Sequence, residues 1–134
     1  MTPPQASLSQ DEDAPAAVSF RLSTLTKRAD FLRASRAPRV ATPGFVLQMR
    51  IRKPQEADGI RVGFTCSKKV GNAVARNKAK RRLREIARIV LPTCGNPDAD
   101  YVLIGRAQVT ANRPFNALLD DMRSAVKKLH RSNQ

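Results

Sequence analysis

The sequence predicts an α/β (α+β) two-layer sandwich, a small sheet covered by helices, and three observations predict it. Ile60, Val62, Phe64 and Cys66 alternate with Arg61, Gly63, Thr65 and Ser67, the period of a half-buried strand. Ala75, Ala79, Leu83, Ile86 and Val90 step by four, four, three and four, which places them on one face of a helix. Residues 100–106, DYVLIGR, are nearly continuous in apolar side chains and suit the middle of a sheet. At 134 residues the chain is long enough for one domain with one core. The order helix, two or three strands, helix, strand, helix completes the sandwich.

Residues 1–20 are rich in Pro, Ala, Ser and Gln, and carry Asp11, Glu12 and Asp13 with no base. They are expected to be a disordered acidic tail. Residues 21–131 are expected to form the folded domain and 132–134 a C-terminal tail. Thr26 to Ser35 reads as a short helix with Ala29, Phe31 and Leu32 on its apolar side. Two prolines make 37–44 an extended connector or a short edge strand. Phe45 to Arg52 is a strand, with Phe45, Leu47, Met49 and Ile51 on one face and Val46, Gln48, Arg50 and Arg52 on the other. Residues 53–59 turn into the next strand.

Gly71 and Asn72 end that strand, and Asn72 is an N-cap for the long helix, its side-chain oxygen accepting a first-turn amide. The helix is expected to run to Leu91, with Pro92 to Asp98 as a loop. Asn112-Arg113-Pro114 starts the last helix. Phe115, Leu118, Leu119, Met122, Val126 and Leu129 form its stripe. Lys127, Lys128, His130 and Arg131 lie at its end, favourable to the helix dipole.

Charge decides the functional class. The chain has 25 Lys and Arg against 11 acids, a net charge of +14. Ten of the cations fall between Arg61 and Arg88, where Glu85 is the one acid. On the long helix Asn77, Arg81, Arg84 and Arg88 oppose the apolar stripe. Arg76 and Lys80 lie on one flank, Lys78 and Arg82 on the other. Like charges at this spacing repel, and a polyanion that neutralises them releases its counterions. A solvated surface ordinarily mixes both signs, and this one hardly does. A pI near 11.2 points to nucleic acid first and an anionic membrane surface second.

Other classes are excluded on composition. No apolar run reaches the roughly 18 residues of a membrane span, and the N-terminus does not resemble a secretory signal. Cys66 and Cys94 have no close Cys or His partners, so a zinc site is not expected and a disulfide is not suggested. Cys66 reads as a small buried residue. A cytoplasmic location is expected. Metal-dependent phosphodiester cleavage by a protein needs clustered carboxylates. Here the acids are scattered, three of them in the tail, and His130 has no evident partner. No Gly-rich phosphate loop and no Ser-His-Asp arrangement occurs. Neither catalytic nor metal-ligating residues are assigned.

The run Phe64 to Glu85, FTCSKKVGNAVARNKAKRRLRE, resembles the signature of the bacterial ribonuclease P protein component. That family carries Ser-Lys-Lys-x-Gly-Asn-Ala-Val followed by an Arg-Asn-Arg helix. Here these are Ser67 to Val74 and Arg76-Asn77-Lys78. Leu25 to Phe31 resembles the family's first helix, and the strand ending in Arg106 its last strand, so the match covers about 22–129. The resemblance implies the order αβββαβα, a small mixed sheet and a left-handed βαβ crossover, a fold resembling ribosomal protein S5 domain 2. It implies a protein subunit of a ribonucleoprotein endoribonuclease that removes the 5′ leader from precursor tRNA. The RNA subunit holds the catalytic Mg2+, and the protein binds none tightly. The implied partners are the catalytic RNA and precursor tRNA, with no membrane and no obligatory protein partner.

Residue by residue, the resemblance assigns Lys68, Lys69, Asn72, Arg76, Asn77, Lys78, Lys80, Arg81 and Arg84 to RNA contact. It assigns Phe31, Arg61 and Arg106 to the precursor leader, with Arg61 and Arg106 on the same face as Phe31. Phe31 is equally an ordinary core residue on the sequence alone. Two departures from the family stand out. Lys78 replaces the final Arg of the motif and lacks its planar fork. Ser35 stands where a second aromatic is common, so the leader cleft stacks less or recruits Phe45. Three other readings fit the composition: a structural RNA-binding protein such as a ribosomal protein, a DNA binder with its helix in the major groove, and a self-sufficient nuclease. The acidic tail is a solvated extension, or a segment that covers the basic surface when RNA is absent.

Overall fold

Residues 22–53 and 59–132 are described by the structure, a computed structural model of the chain. The expected tail over 1–20 lies outside the described residues, as do 133–134 and most of the 53–59 turn. The elements are β1 (Leu22–Thr24), α1 (Arg28–Ser35), β2 (Arg39–Ala41), β3 (Phe45–Ile51) and β4 (Ile60–Thr65). A 3-10 turn (Lys68–Val70), α2 (Ala73–Cys94), β5 (Ala99–Gly105), α3 (Val109–Asn112) and α4 (Phe115–Ser132) follow. The strands form one mixed sheet in the order β1-β4-β5-β3-β2. β4 and β5 are parallel neighbours joined through α2, while β3 runs antiparallel to β5.

Strand alternation divides the side chains between two faces. Phe45, Leu47, Ile60, Val62, Tyr101 and Leu103 point to one face and pack on Leu83, Ile86, Val90, Leu118, Met122 and Leu129 of α2 and α4. The sheet with these two helices is the expected sandwich. On the other face α1 lies across the middle of the sheet, where Leu25, Phe31 and Ala34 pack against Val102 and Ile104.

Several elements differ from expectation, each for a local reason. β1 was not anticipated: three residues carry too little pattern, and it exists because it pairs in parallel with Ile60–Val62 of β4. α1 begins at Arg28, and its inner side is Asp30, Phe31 and Ala34, leaving Leu32 48% exposed. Asp30 turns inward because Arg61 lies beneath it, 3.5 Å away. α2 continues through Pro92 to Cys94. The proline lies in the last turn, where buried Val90 and Leu91 hold the helix and the Gly95 amide donates to the Leu91 carbonyl at 2.8 Å. α3 was also missed. Phe45 is fully buried under α4 and is not available to a cleft on the α1 face; only Phe31 remains for that role.

Asp100 is the most heavily engaged buried charge. Arg52 donates to its Oδ1 at 2.7 Å, and Arg61 to Oδ1 and Oδ2 at 2.8 Å each, with Arg50 at 3.5 Å. Burial pushes its carboxyl up, but the hydrogen bonds from Arg61 and Arg52 outweigh this and hold it below the usual carboxylate range. A second buried cluster joins Tyr101 to both helix ends. The Asn96 amide donates to the Tyr101 oxygen at 2.8 Å, and the hydroxyl lies 2.9 Å from His130 Nε2. The tautomer of His130 sets which of the two donates in this hydrogen bond. Burial raises the Tyr101 phenol to about 12 and lowers His130.

Asp100→Asn leaves buried Arg52 without its counter-charge, and a loss of roughly 3–5 kcal/mol is expected by urea unfolding. A loss below about 1 kcal/mol would mean the carboxylate is dispensable to the fold. His130 titrates at lower pH folded than unfolded, so its contribution to stability is present above the unfolded value and declines as pH falls through about 6.5 and below. The carboxylates lowered in the fold, Asp100 and Glu85, keep their full contribution above the ordinary carboxylate range and lose it only as pH falls through and below that range, so they add no slope here. The melting temperature should therefore drop between pH 7.5 and 5.5, and His130→Gln should flatten that slope.

Candidate nucleic-acid interface

Three short-range features position the basic face. Ser67 ends the strand and accepts from the Lys69 amide at 3.3 Å, starting the 3-10 turn that presents Lys68 and Lys69 to solvent. Gly71 has φ 143°, and a Cβ there would meet Ala75 at 2.8 Å, so the turn requires glycine. Asn72 caps α2 as expected, its Oδ1 accepting from the Ala75 amide at 2.9 Å. The side chain assigned to RNA is therefore also the cap, and its oxygen is in use.

From this cap α2 carries its cations outward. Asn77, Lys78, Arg81 and Arg84 are exposed, and Arg76 and Lys80 half-buried. Lys68, Lys69, Arg76, Lys78, Lys80, Arg81 and Arg84 form no ion pair among the described residues. Arg84 stacks over Phe64, its guanidinium carbon 5.7 Å from the ring centroid. Arg76 and Lys80 lie near Cys66, whose thiol is pushed up by burial and pulled back in part by the Lys80 and Arg76 charges. Cys66 is half-buried and Cys94 exposed, both as free thiols.

Two arginines of the same helix serve other ends. Arg88 is held by Glu85 at 2.8 and 3.1 Å. Arg82 reaches the carbonyls of Thr110 at 3.2 Å and Ala111 at 2.6 Å, and that of Arg113, with its guanidinium over Phe115. It thus satisfies the free carbonyls at the end of α3. No sequence signal marks it, because its partners lie about thirty residues away.

The α1 face holds the other assigned residues. Phe31 lies on Gly63, where a Cβ would come within 2.5 Å of the ring. The glycine lets the ring seat directly on β4, where it is half-buried. Arg61 and Arg106 are on this face but at opposite ends. Arg61 is level with Asp100, and Arg106 lies just past the end of β5, six residues beyond Asp100 and about 20 Å away at strand spacing. Phe31 sits between them. Arg61 is engaged by Asp100 and Asp30, and the Arg106 guanidinium donates to the Thr42 carbonyl at 2.6 Å. The Arg106 amide donates to buried Thr110, which donates on to the Gly44 carbonyl.

The acids are also accounted for. Of the six acids among the described residues, Asp30, Glu85, Asp100, Asp120 and Asp121 each face an arginine, and Asp98 is exposed. Among the described residues no three of His, Cys, Asp or Glu come together as a metal site would require. No helix of the described residues is long and apolar enough to cross a membrane.

Comparison with known proteins gives one consistent result. The family described as Ribonuclease P matches residues 21–130. A ribonuclease P protein component of Ruegeria pomeroyi is 64% identical over 112 residues, spanning 84% of this chain and 90% of the relative. That of Paramagnetospirillum magneticum is 48% identical over 115 residues, spanning 84% and 86%. Among solved structures, the RNase P protein of Thermotoga maritima superposes with a TM-score of 0.66 at 26% identity, covering 79% of this chain and 96% of that one. The Staphylococcus aureus RNase P protein gives 0.64 at 30% identity, covering 78% and 93%.

The division of cations on α2 is testable without any ligand. Arg82→Ala should destabilise the protein by roughly 1–3 kcal/mol, because it strands the α3 carbonyls. Arg81→Ala, one residue away and exposed, should stay within about 0.5 kcal/mol of the native protein. Equal losses in urea unfolding would contradict the division.

Proposed function

The chain belongs to the ribonuclease P protein family, the protein subunit of the endoribonuclease that matures tRNA 5′ ends, and we propose that it meets two RNAs on two opposite faces. The catalytic RNA subunit docks along α2 and its preceding turn, on Lys68, Lys69, Asn72, Arg76, Asn77, Lys78, Lys80, Arg81 and Arg84. The single-stranded leader of precursor tRNA crosses the α1 face over Phe31, between Arg61 and Arg106. The observation that carries this reading is the sorting of charge. Lys68, Lys69, Arg76, Lys78, Lys80, Arg81 and Arg84 have no acid partner among the described residues, while the buried arginines are paired.

Each face suits its RNA by ordinary physics. Seven unpaired cations on one surface gain by releasing counterions from a phosphate backbone. Lys78 contributes as a point charge, without the fork that an arginine would bring. On the other face a leader base can stack on the half-buried ring of Phe31 for about 1–3 kcal/mol, with Arg61 and Arg106 at the two ends of its track. Ser35 adds no ring; its hydroxyl donates to the Leu32 carbonyl at 2.6 Å.

The protein's part is to bind and orient. Mg2+ on the RNA subunit supplies the cleavage chemistry; five of the six described carboxylates face arginines and exposed Asp98 stands apart from them, an arrangement that does not fit a magnesium site. The two free thiols suit a reducing cytoplasm.

Reconstitution tests the whole reading. Precursor tRNA at low Mg2+ should be cut efficiently at the mature 5′ end only when the RNA subunit and this protein are combined. Cleavage by the protein alone would reveal a metal site of its own, and no effect of the protein would refute the subunit role. Arg76→Ala and Arg81→Ala should each lower the salt slope of RNA binding by about one ion. Phe31→Ala should keep assembly and lose preference for precursor over mature tRNA; an equal loss for both would place the leader elsewhere.

A further inference from the structure

We propose that the groove between β1 and α2 is a pocket for one unpaired nucleobase of the catalytic RNA. This rests on the reading of α2 as the face that meets that RNA, and adds to it a site for a base. The groove encloses about 140 Å3. Leu22 and Thr24 of β1 form one wall, Val62 and Phe64 the floor, and Arg84 and Arg88 the rim. It is thus an apolar slot with cationic edges, which is how proteins commonly hold flat heterocycles.

Arg84 is the residue that makes the slot specific for a ring. Its guanidinium, flat by its own bonding, is kept at the rim with its carbon 5.7 Å from the Phe64 ring centroid, and no carboxylate draws it away among the described residues. The plane has a second side, on which a base can stack. Arg88, its charge already met by Glu85, closes the rim and is not the phosphate contact. Phosphates are served higher on the same ridge, by Arg81, about one turn or 5 Å from Arg84. A strand whose phosphate rests on Arg81 therefore brings its base to the groove.

The same geometry selects the occupant. A slot of this size admits one extruded ring and no paired strand. It opens beside the unpaired α2 cations, whereas Phe31 and the leader track lie on the other side of the sheet. β1 is the edge strand, so no strand among the described residues covers the outer side. Complementary charge and continuity with the α2 face both favour the catalytic RNA over the leader.

Base-specific chemical probing of the catalytic RNA, bound to native protein, Arg84→Lys and Thr24→Trp, tests the proposal. Native protein should protect one or two unpaired bases. Arg84→Lys keeps the charge and loses the plane. It should preserve the salt slope, bind roughly 5- to 100-fold more weakly and leave those bases reactive. Thr24→Trp puts an indole in the mouth and should abolish the same protection with a native thermal melt; should it fold poorly, Arg84→Lys alone decides. Native affinity and protection in Arg84→Lys would overturn the pocket, as would protection seen only on the precursor leader. If Arg76→Ala and Arg81→Ala also bind RNA normally, the α2 docking reading falls; if they weaken binding while Arg84→Lys does not, only the pocket falls.

Discussion

One buried carboxylate organises the α1 face of this protein. Asp100 sits at the start of β5 with no exposed side-chain surface, and the register puts Arg50 of β3 and Arg61 of β4 directly beside it. Arg52, just past β3, closes on it from the strand end and also reaches the carbonyls of Ala99 and Gly59. A buried carboxylate is expensive unless it is paired and hydrogen-bonded, so these arginines are drawn in. Arg61 then extends to Asp30, which orients α1, and α1 carries Phe31 onto Gly63. The seat of the aromatic ring is thus set from the far end of the sheet, through two ion pairs and a helix. An arginine that looks like a nucleic-acid contact in the sequence is in the fold the link between two buried acids.

The long basic helix poses the opposite problem, because its charges have too few partners. About half a dozen like-charged pairs stand three or four residues apart on α2, each unfavourable by about 0.2–0.5 kcal/mol. Against this, Leu83, Ile86, Val90 and Leu91 are buried almost completely, each favourable by about 1.5–3 kcal/mol. Burial wins by several kcal/mol, so the helix can hold its charges in place without RNA. Arg82 and Arg88 reduce the repulsion further by turning to carbonyls and to Glu85. What remains is a preformed ridge.

Much of this was legible in the residues, and the misses have a common cause. Period two marks β3 and β4, a nearly continuous apolar run marks β5, period 3.6 marks α2 and α4, and Asn72 reads as the cap it is, because these signals are local. β1 and α3 escaped because three or four residues carry no period; they exist through β4 and through Arg82. The inner side of α1 was misjudged because Asp30 is buried by a partner thirty-one positions away, where hydrophobicity alone would turn Leu32 inward. Phe45 was open as a second cleft aromatic until strand parity put it on the other face. The run from Ser67 to Lys78 marks the surface proposed to face RNA, but cannot tell a cation that binds carbonyls from one that is unpaired.

The placement of β4 suits so small a chain to the two RNA contacts proposed for it. Successive side chains of a strand point to opposite faces. Val62 and Phe64 therefore look toward α2 and its groove, while Arg61 and Gly63 look toward α1 and Phe31. A single strand separates the two surfaces, and it is fixed on both sides by hydrogen-bonded neighbours, β1 and β5. Its position cannot drift without breaking ladder bonds or the Arg61–Asp100 pair. A protein that brings no reacting group can still assist a reaction if it holds two partners in register, since misplacement by an ångström is costly to catalysis. Here the register is built into the alternation of one six-residue strand.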